Sequence, residues 1–278
     1  MSGLGSVFEV TVASRDIERQ LRFCREAFQL QPVTRDASSV LLGAPGSDRG
    51  RLRLVPAAAD PGLPSPEVWI TGPRLLAVYS KDVPRTQERV TAAGGAPRPY
   101  HRFEVEGVGA YTEGLVRGVD DVVWVYPCPA RRMPSPAFDS DPERLHGELH
   151  YVGITLEEIA PAVEFFAGAG GMAVIMDQEV EADWASDLIG VPLGTRMHVV
   201  CLAGEDTAPI RLMLVSYSGA LQVVKESTVR TVGIRRISFA ADPAEMHDRL
   251  VRAGATPLGD GLLRGPAGVE IELRRSAQ

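Results

Sequence analysis

The sequence predicts an α+β fold of four βαβββ modules paired into two domains, each a curved mixed sheet around a cleft with helices outside. Three observations predict it. Two long internal matches recur at fixed shifts. Each matched stretch pairs a strand pattern with a helix pattern. The stretches that close the modules share a turn motif before an alternating strand.

The first match sets Glu88-Arg-Val-Thr-Ala-Ala-Gly-Gly-Ala-Pro97 on Asp248-Arg-Leu-Val-Arg-Ala-Gly-Ala-Thr-Pro257, without gaps, at a shift of 160 residues. The same shift pairs Asp82 with Asp242 and Tyr79 with Phe239, so it spans a strand, a turn and a helix. The second sets residues 8–33 on 150–175 at a shift of 142. Val10 meets Val152, Val12 meets Ile154, Phe23 meets Phe165 and Leu30 meets Met172. Asp16 and Glu158 stand at the two turns, where an acidic side chain suits a helix N-terminus. Gly94-Gly95 and Gly170-Gly171 read as helix C-caps, not phosphate loops. The closing stretches match as well: Arg51-Leu-Arg-Leu-Val55 resembles Arg211-Leu-Met-Leu-Val215. Arg117-Gly-Val-Asp-Asp-Val122 resembles Arg264-Gly-Pro-Ala-Gly-Val269, and both carry hairpin-turn chemistry before a strand.

The modules therefore begin near residues 6, 74, 148 and 232. Residues 128–147, rich in Pro, Arg, Asp and Ser, have linker composition, so residues 1–127 form an N-terminal pair of modules and residues 148–278 a C-terminal pair. Residues 177–194 are extra to the third module, acidic and holding Trp184. They read either as a lid over a pocket or as a surface insertion.

Composition limits the partners. Hydrophobic residues at 45% and charged residues at 23% are ordinary for a globular chain. A formal charge of −7 with no basic run argues against nucleic acid. The longest apolar runs, such as Val122 to Tyr126, are strand-sized, and the first six residues lack a signal-peptide pattern; the expectation is a cytoplasmic protein with no membrane partner. Cys24, Cys128 and Cys201 give neither a disulfide framework nor a zinc spacing and read as small hydrophobes. No nucleotide fingerprint, Ser-His-Asp order or Walker pattern occurs.

On these repeats the chain resembles the two-domain vicinal oxygen chelate superfamily, which holds glyoxalase I, bleomycin-resistance proteins and type I extradiol dioxygenases. The resemblance covers nearly the whole chain and implies a small-molecule substrate with adjacent oxygens or an enolisable carbonyl. It also implies a divalent metal, iron, manganese or zinc, held by two histidines and a carboxylate. His150 in Leu149-His-Tyr-Val-Gly153 falls on the first ligand position and Glu272 in Val269-Glu-Ile-Glu-Leu273 on the carboxylate position. His198 in Arg196-Met-His-Val-Val200 is similar to the acid–base histidine of the dioxygenases. The sequence departs at the second histidine position, which is Arg236, a residue that only donates, and at the further glyoxalase glutamate, which is Met213.

In the N-terminal half Phe8, Leu76 and Val125 stand opposite His150, Arg236 and Glu272, which reads as a filled, scaffold-like cleft. Alternation places His150, Arg236 and Glu272 in one C-terminal cleft and sends Arg235 to the opposite face. Three readings stay open for that cleft. Arg236 and Glu272 form a structural ion pair. Or Arg236 binds a substrate oxyanion while His150 or His198 moves protons, in an isomerisation or elimination. Or a metal binds through His150, Glu272 and a further ligand, as in a ring-cleaving dioxygenase. A non-catalytic drug- or metabolite-binding protein is the alternative to all enzymes. His146 and His247 read as solvated, and four modules that complete both clefts internally suggest a monomer or weak homodimer.

Overall fold

The computed structural model describes residues 3–58, 67–105, 109–181, 183–204, 210–226 and 231–275. The first module runs β1 (Val7–Ser14), α1 (Ile17–Phe28), β2 (Gln31–Arg35), β3 (Val40–Gly43) and β4 (Arg51–Pro56). The second runs β5 (Gly72–Ser80), α2 (Val83–Ala92), β6 (Ala96–Pro97), β7 (His101–Val105), β8 (Gly109–Arg117) and β9 (Val123–Pro129). After α3 (Pro136–Ser140) come β10 (His146–Thr155), α4 (Ala160–Val163) with its π-helical continuation Glu164–Ala169, β11 (Ala173–Glu181), α5 (Asp183–Ile189), β12 (Thr195–Ala203) and β13 (Arg211–Gly219). The fourth module runs β14 (Gly233–Ala240), α6 (Pro243–Arg252), β15 (Thr256–Gly259), β16 (Leu262–Arg264) and β17 (Glu270–Arg274).

Local chemistry sets these boundaries. Asp16, Asp82 and Asp242 cap α1, α2 and α6 by accepting backbone N–H bonds at 2.9–3.0 Å. The third copy differs, because Ile159 occupies its N-cap and makes no side-chain bond. The two closing turns are the same turn: Asp120 and Ala267 both adopt left-handed φ, near 54° and 52°, and a 2.9 Å backbone bond closes each, from Gly118 to Val122 and from Gly265 to Val269.

The strand pairing corrects the expected domain plan. One sheet runs β15-β16-β17-β14-β1-β4-β3-β2 and joins the fourth module to the first; the other runs β11-β12-β13-β10-β5-β9-β8-β6, with β7 on β8, and joins the third to the second. The joints are the antiparallel pairs β1–β14 and β10–β5. The repeat could not foretell this, since every module offers the same open edge on its first strand, and any of the others could cover it. Side chains decide. The outward residues of modules one and four are charged, whereas those of two and three are mostly apolar, so this pairing keeps buried charges beside partners. Nor is 128–147 a free spacer: the buried Glu148 carboxylate accepts from Ser135 Oγ at 2.5 Å and from Ala137 N at 2.7 Å, tying α3 to β10.

One core holds the molecule together. The inward faces of both sheets, with Val10, Val12, Leu52, Leu76, Val152, Ile154, Ile237 and Ile271, meet α1, α2 and α6 in a single buried cluster. The two outward faces, each the cleft side of one curved sheet, point away from this core on separate sides. A second apolar cluster lies in the outward cleft of the β10–β5 sheet, and there α5 buries Ala185 and Leu188. Among the described residues no helix is long and apolar enough to cross a membrane.

Candidate functional site

β-bulges decide which side chains reach the clefts. In β10 the register steps between the pairs Leu149–Val78 and Tyr151–Ala77. A bulge lets two consecutive side chains share one face. Leu149 and Val152 both enter the core, so His150 and Tyr151 turn outward together. Strict alternation would set His150 on the face of Val152 and Ile154, which is the core face, and the bulge takes it off that face. In β14 the register steps from Thr11–Arg236 to Val12–Ile234, leaving Arg235 unpaired in the bulge. Arg235 and Arg236 therefore share a face, and both approach Glu270, at 2.9 Å and 3.6 Å. By strand register, Leu75 and not Leu76 holds the second-module place that Arg236 holds in the fourth.

The first cleft, on the β1–β14 sheet, is a charge network. Glu9 is fully buried and receives two bonds from Arg53, Nε to Oε1 at 2.6 Å and Nη2 to Oε2 at 2.9 Å. Arg274 sits 3.4 Å and 3.5 Å from the same carboxylate and 2.9 Å from Glu272, which also accepts from Ser238 Oγ at 2.6 Å. Burial opposes the charge on Glu272, but the Ser238 and Arg274 bonds outweigh it and hold the carboxyl below its usual value. The expected Arg236–Glu272 pair is thus replaced by Arg236–Glu270 and Glu272–Arg274. The N-terminal module is no scaffold of apolar residues, since it supplies Glu9, Arg51 and Arg53 to this face.

The second cleft, on the β10–β5 sheet, is apolar with a few reactive groups on its floor. Tyr151 stands opposite Arg211 of β13 and Ala77 of β5, and its hydroxyl contacts Glu113 Oε2 of β8 at 3.5 Å. Glu113 is half-buried among apolar side chains. Burial, opposed only by the Tyr151 hydroxyl, pushes its carboxyl up to about 7. Burial likewise raises the Tyr151 hydroxyl well above its ordinary value, with the Glu113 charge adding to it. Arg211 is partly exposed in this cleft. Its Nη1 lies 3.5 Å from the Met133 sulfur, and it has no carboxylate partner among the described residues. His150 packs its ring 5.3 Å from Tyr79 and 5.8 Å from Tyr151, and its buried Nδ1 has no partner. Burial, with the Arg211 charge, pushes it down to about 3, so this imidazole stays neutral at physiological pH instead of titrating there. The insertion closes over the cleft: Trp184 of α5 stacks on Phe103 at 4.3 Å, Phe103 stacks on Tyr111 at 6.1 Å, and Arg98 donates to the carbonyls of Asp187 and Ser186 at the end of α5 (residue 182 lies outside the described residues).

The four expected site residues are therefore not one constellation. His150 lies in the second cleft, Arg236 and Glu272 in the first, with the core between them. His198 lies in neither. Met197 and Val199 face the second cleft, so His198 points to the opposite side of β12, where Nε2 meets Asp177 Oδ1 at 2.7 Å. His146, expected in solvent, is fully buried in β10 between Thr86 Oγ1 at 2.8 Å and Gln29 Oε1 at 3.2 Å. Glu113, Arg211 and Tyr151 were not singled out in the sequence. A lone Arg in the apolar strand Ile210-Arg-Leu-Met-Leu-Val215 was the signal for one of them.

The donor sets do not fit the iron, manganese or zinc that the resemblance implies. Among the described residues no group of three or more His, Cys, Asp or Glu side chains is placed to hold a metal ion. The carboxylates of Glu9 and Glu272 are already engaged by guanidinium and hydroxyl groups, and His150 is separated from Glu272 by the core. A groove of about 850 Å³ borders the first cleft and shares Arg235 and Glu270 with it; Pro73, Leu156, Lys225 and Arg264 also line it.

No protein-family model matches the sequence. No curated protein matches it either. Solved structures do match its fold. Glyoxalase I from Zea mays superposes with a TM-score of 0.66 at 13% identity, covering 97% of this chain and 92% of that one. A dioxygenase-like protein from Bacillus subtilis superposes with a TM-score of 0.66 at 11% identity, covering 100% of this chain and 87% of that one. At such identity the likeness concerns fold alone. With four repeated modules, two curved sheets and superposition over nearly its full length, the chain has the fold of glyoxalase I and of this dioxygenase-like protein.

Proposed function

We propose that the protein is a small-molecule enzyme whose active cleft is that of the β10–β5 sheet. It would act on an oxygenated, enolisable or aromatic substrate by proton transfer and oxyanion stabilisation, as in an isomerisation or elimination. One observation carries this reading: a carboxyl pushed up to about 7, Glu113, shares an apolar cleft with Arg211, a guanidinium that no described carboxylate neutralises. A base with a pKa near ambient pH is populated in both protonation states and can take and return a proton. Glu113 removes a proton from the carbon beside a carbonyl, the electron pair moves to the carbonyl oxygen, and Arg211 holds the resulting enolate. The protonated Glu113 then returns the proton to the same or a neighbouring carbon. Tyr151 keeps the carboxyl in place, and the α5 insertion with Trp184 shields the cleft from water.

The stack of Trp184, Phe103 and Tyr111 favours a second reading, a sequestering protein for flat aromatic compounds. Because each cleft is completed within the chain, a monomer or weak homodimer suits either reading. Wash-in of solvent deuterium into enolisable probes such as phenylpyruvate and acetylacetone separates the two. Catalysis predicts exchange that falls roughly a hundredfold in Glu113→Gln, with binding kept, and binding that weakens in Arg211→Gln. Binding without exchange in the wild-type protein would support sequestration and end the enzyme reading.

A further inference from the structure

We infer that the first cleft is a separate binding site for a small oxyanion, a carboxylate or phosphate group. The inference does not depend on the chemistry proposed for the second cleft. On the outward face of β4, β1, β14 and β17 stand Arg51, Arg53, Arg235, Arg236 and Arg274 against Glu9, Glu270 and Glu272. Five guanidinium groups face three carboxylates, and Asp36 near Arg53 adds one more negative charge, so the face stays positive in a protein of net charge −7.

The excess is local. Arg53 is spent on Glu9 and Arg274 on Glu9 and Glu272, whereas Arg235 takes the nearer oxygen of Glu270 and leaves Arg236 a single contact at 3.6 Å. Three buried polar atoms on this face have no partner: Nε of Arg51, Nε of Arg236 and Oγ1 of Thr11. Thr11 is only 6% exposed, and strand register puts it directly between Arg53 and Arg236. Buried donors are seldom left unpaired, and their cost falls when a ligand supplies the acceptors. An oxyanion at this row would accept from Arg236 Nε and Thr11 Oγ1 together and neutralise the surplus charge. The Arg236 side chain keeps 29% of its exposure, so its guanidinium meets solvent, while its Nε and the Thr11 hydroxyl are buried behind that entrance. A metal cation would be repelled by the same surplus.

The test is titration of the full-length protein at low salt with inorganic phosphate and with malonate, followed by calorimetry. We expect saturable binding of one ion per chain in the millimolar range or tighter, weakened about tenfold or more in Arg236→Gln and in the near-isosteric Thr11→Val. The tighter of the two probes identifies the preferred head group, and saturable binding of either that weakens in Arg236→Gln and Thr11→Val supports the site. An exposed control, Arg22→Gln, should bind as the wild type does. Absence of saturable binding up to about 50 mM of both ions overturns the proposal, as does equal weakening in all three variants. So does loss of binding in Arg211→Gln with Arg236→Gln unaffected, which would move the ion to the second cleft. Thr11→Val changes one hydroxyl for a methyl and leaves every ion pair in place, so a folding defect in Arg236→Gln alone does not rescue the proposal.

Discussion

Replacing Glu113 by Gln should change how stability depends on pH, in a direction the structure fixes. Burial raises the folded-state carboxyl from an ordinary 4.5 to about 7. A raised carboxyl means the folded state binds the proton more tightly than the unfolded state. Between about pH 4.5 and 7 the folded chain keeps a proton that the unfolded chain has lost, so stability falls as pH rises and levels off above 7. A full shift of that size corresponds to about 3 kcal/mol; because Glu113 is only half-buried, solvent screening reduces this to roughly 2 kcal/mol. Glutamine keeps the shape and cannot ionise. Urea unfolding of both proteins at pH 5 and pH 8 should therefore show similar stability at pH 5, and a variant more stable than the wild type by about 2 kcal/mol at pH 8. Parallel pH dependence in the two proteins would show that Glu113 titrates normally and would remove the base from the proposed chemistry.

Further outcomes follow from the same geometry. Arg53→Met leaves the buried Glu9 carboxylate with only the longer Arg274 contacts, and urea unfolding should register a loss of about 3 kcal/mol. Asp82→Ala removes the bond to Arg85 N at the start of α2 and should cost about 1 kcal/mol in the same assay. Trp184→Ala should speed amide hydrogen exchange in α5 while leaving exchange in β10 and β14 unchanged, because the stack on Phe103 holds the insertion and not the core. Burial pushes the Cys24 and Cys201 thiols up to about 12, so labelling of the native protein at pH 8 should be slow at both positions and become rapid only in denaturant.

The modules were legible in the sequence because their signals are local. Asp16, Asp82 and Asp242 cap helices, Gly94 and Gly171 end them with positive φ, and the Asp120 and Ala267 turns repeat one backbone path. Starts expected near residues 6, 74, 148 and 232 fall at Val7, Gly72, His146 and Gly233. Which module pairs with which was not legible, since the repeat makes all four edges alike. The site suffered more. A bulge leaves the alternating pattern intact to the eye while shifting its phase, so His150 and Arg235 each ended on a face that alternation assigned wrongly. The metal-ligand pattern read His150 and Glu272 as partners because both lie in the C-terminal half, yet the halves are not the folding units. Glu113 carries no signal in Gly109-Ala-Tyr-Thr-Glu-Gly114 by itself. Its surroundings come from β10, from β13 and from an insertion some seventy residues along the chain.

The most direct test of the account is the deuterium-exchange rate of one enolisable probe, measured at pH 7 for Glu113→Gln beside His198→Ala. Glu113 lies on the floor of the second cleft, and His198 on the far side of β12 against Asp177. Glu113 as the base predicts a loss of roughly a hundredfold in the first variant and wild-type exchange in the second. Loss in His198→Ala with Glu113→Gln unchanged would contradict it and return the chemistry to the histidine.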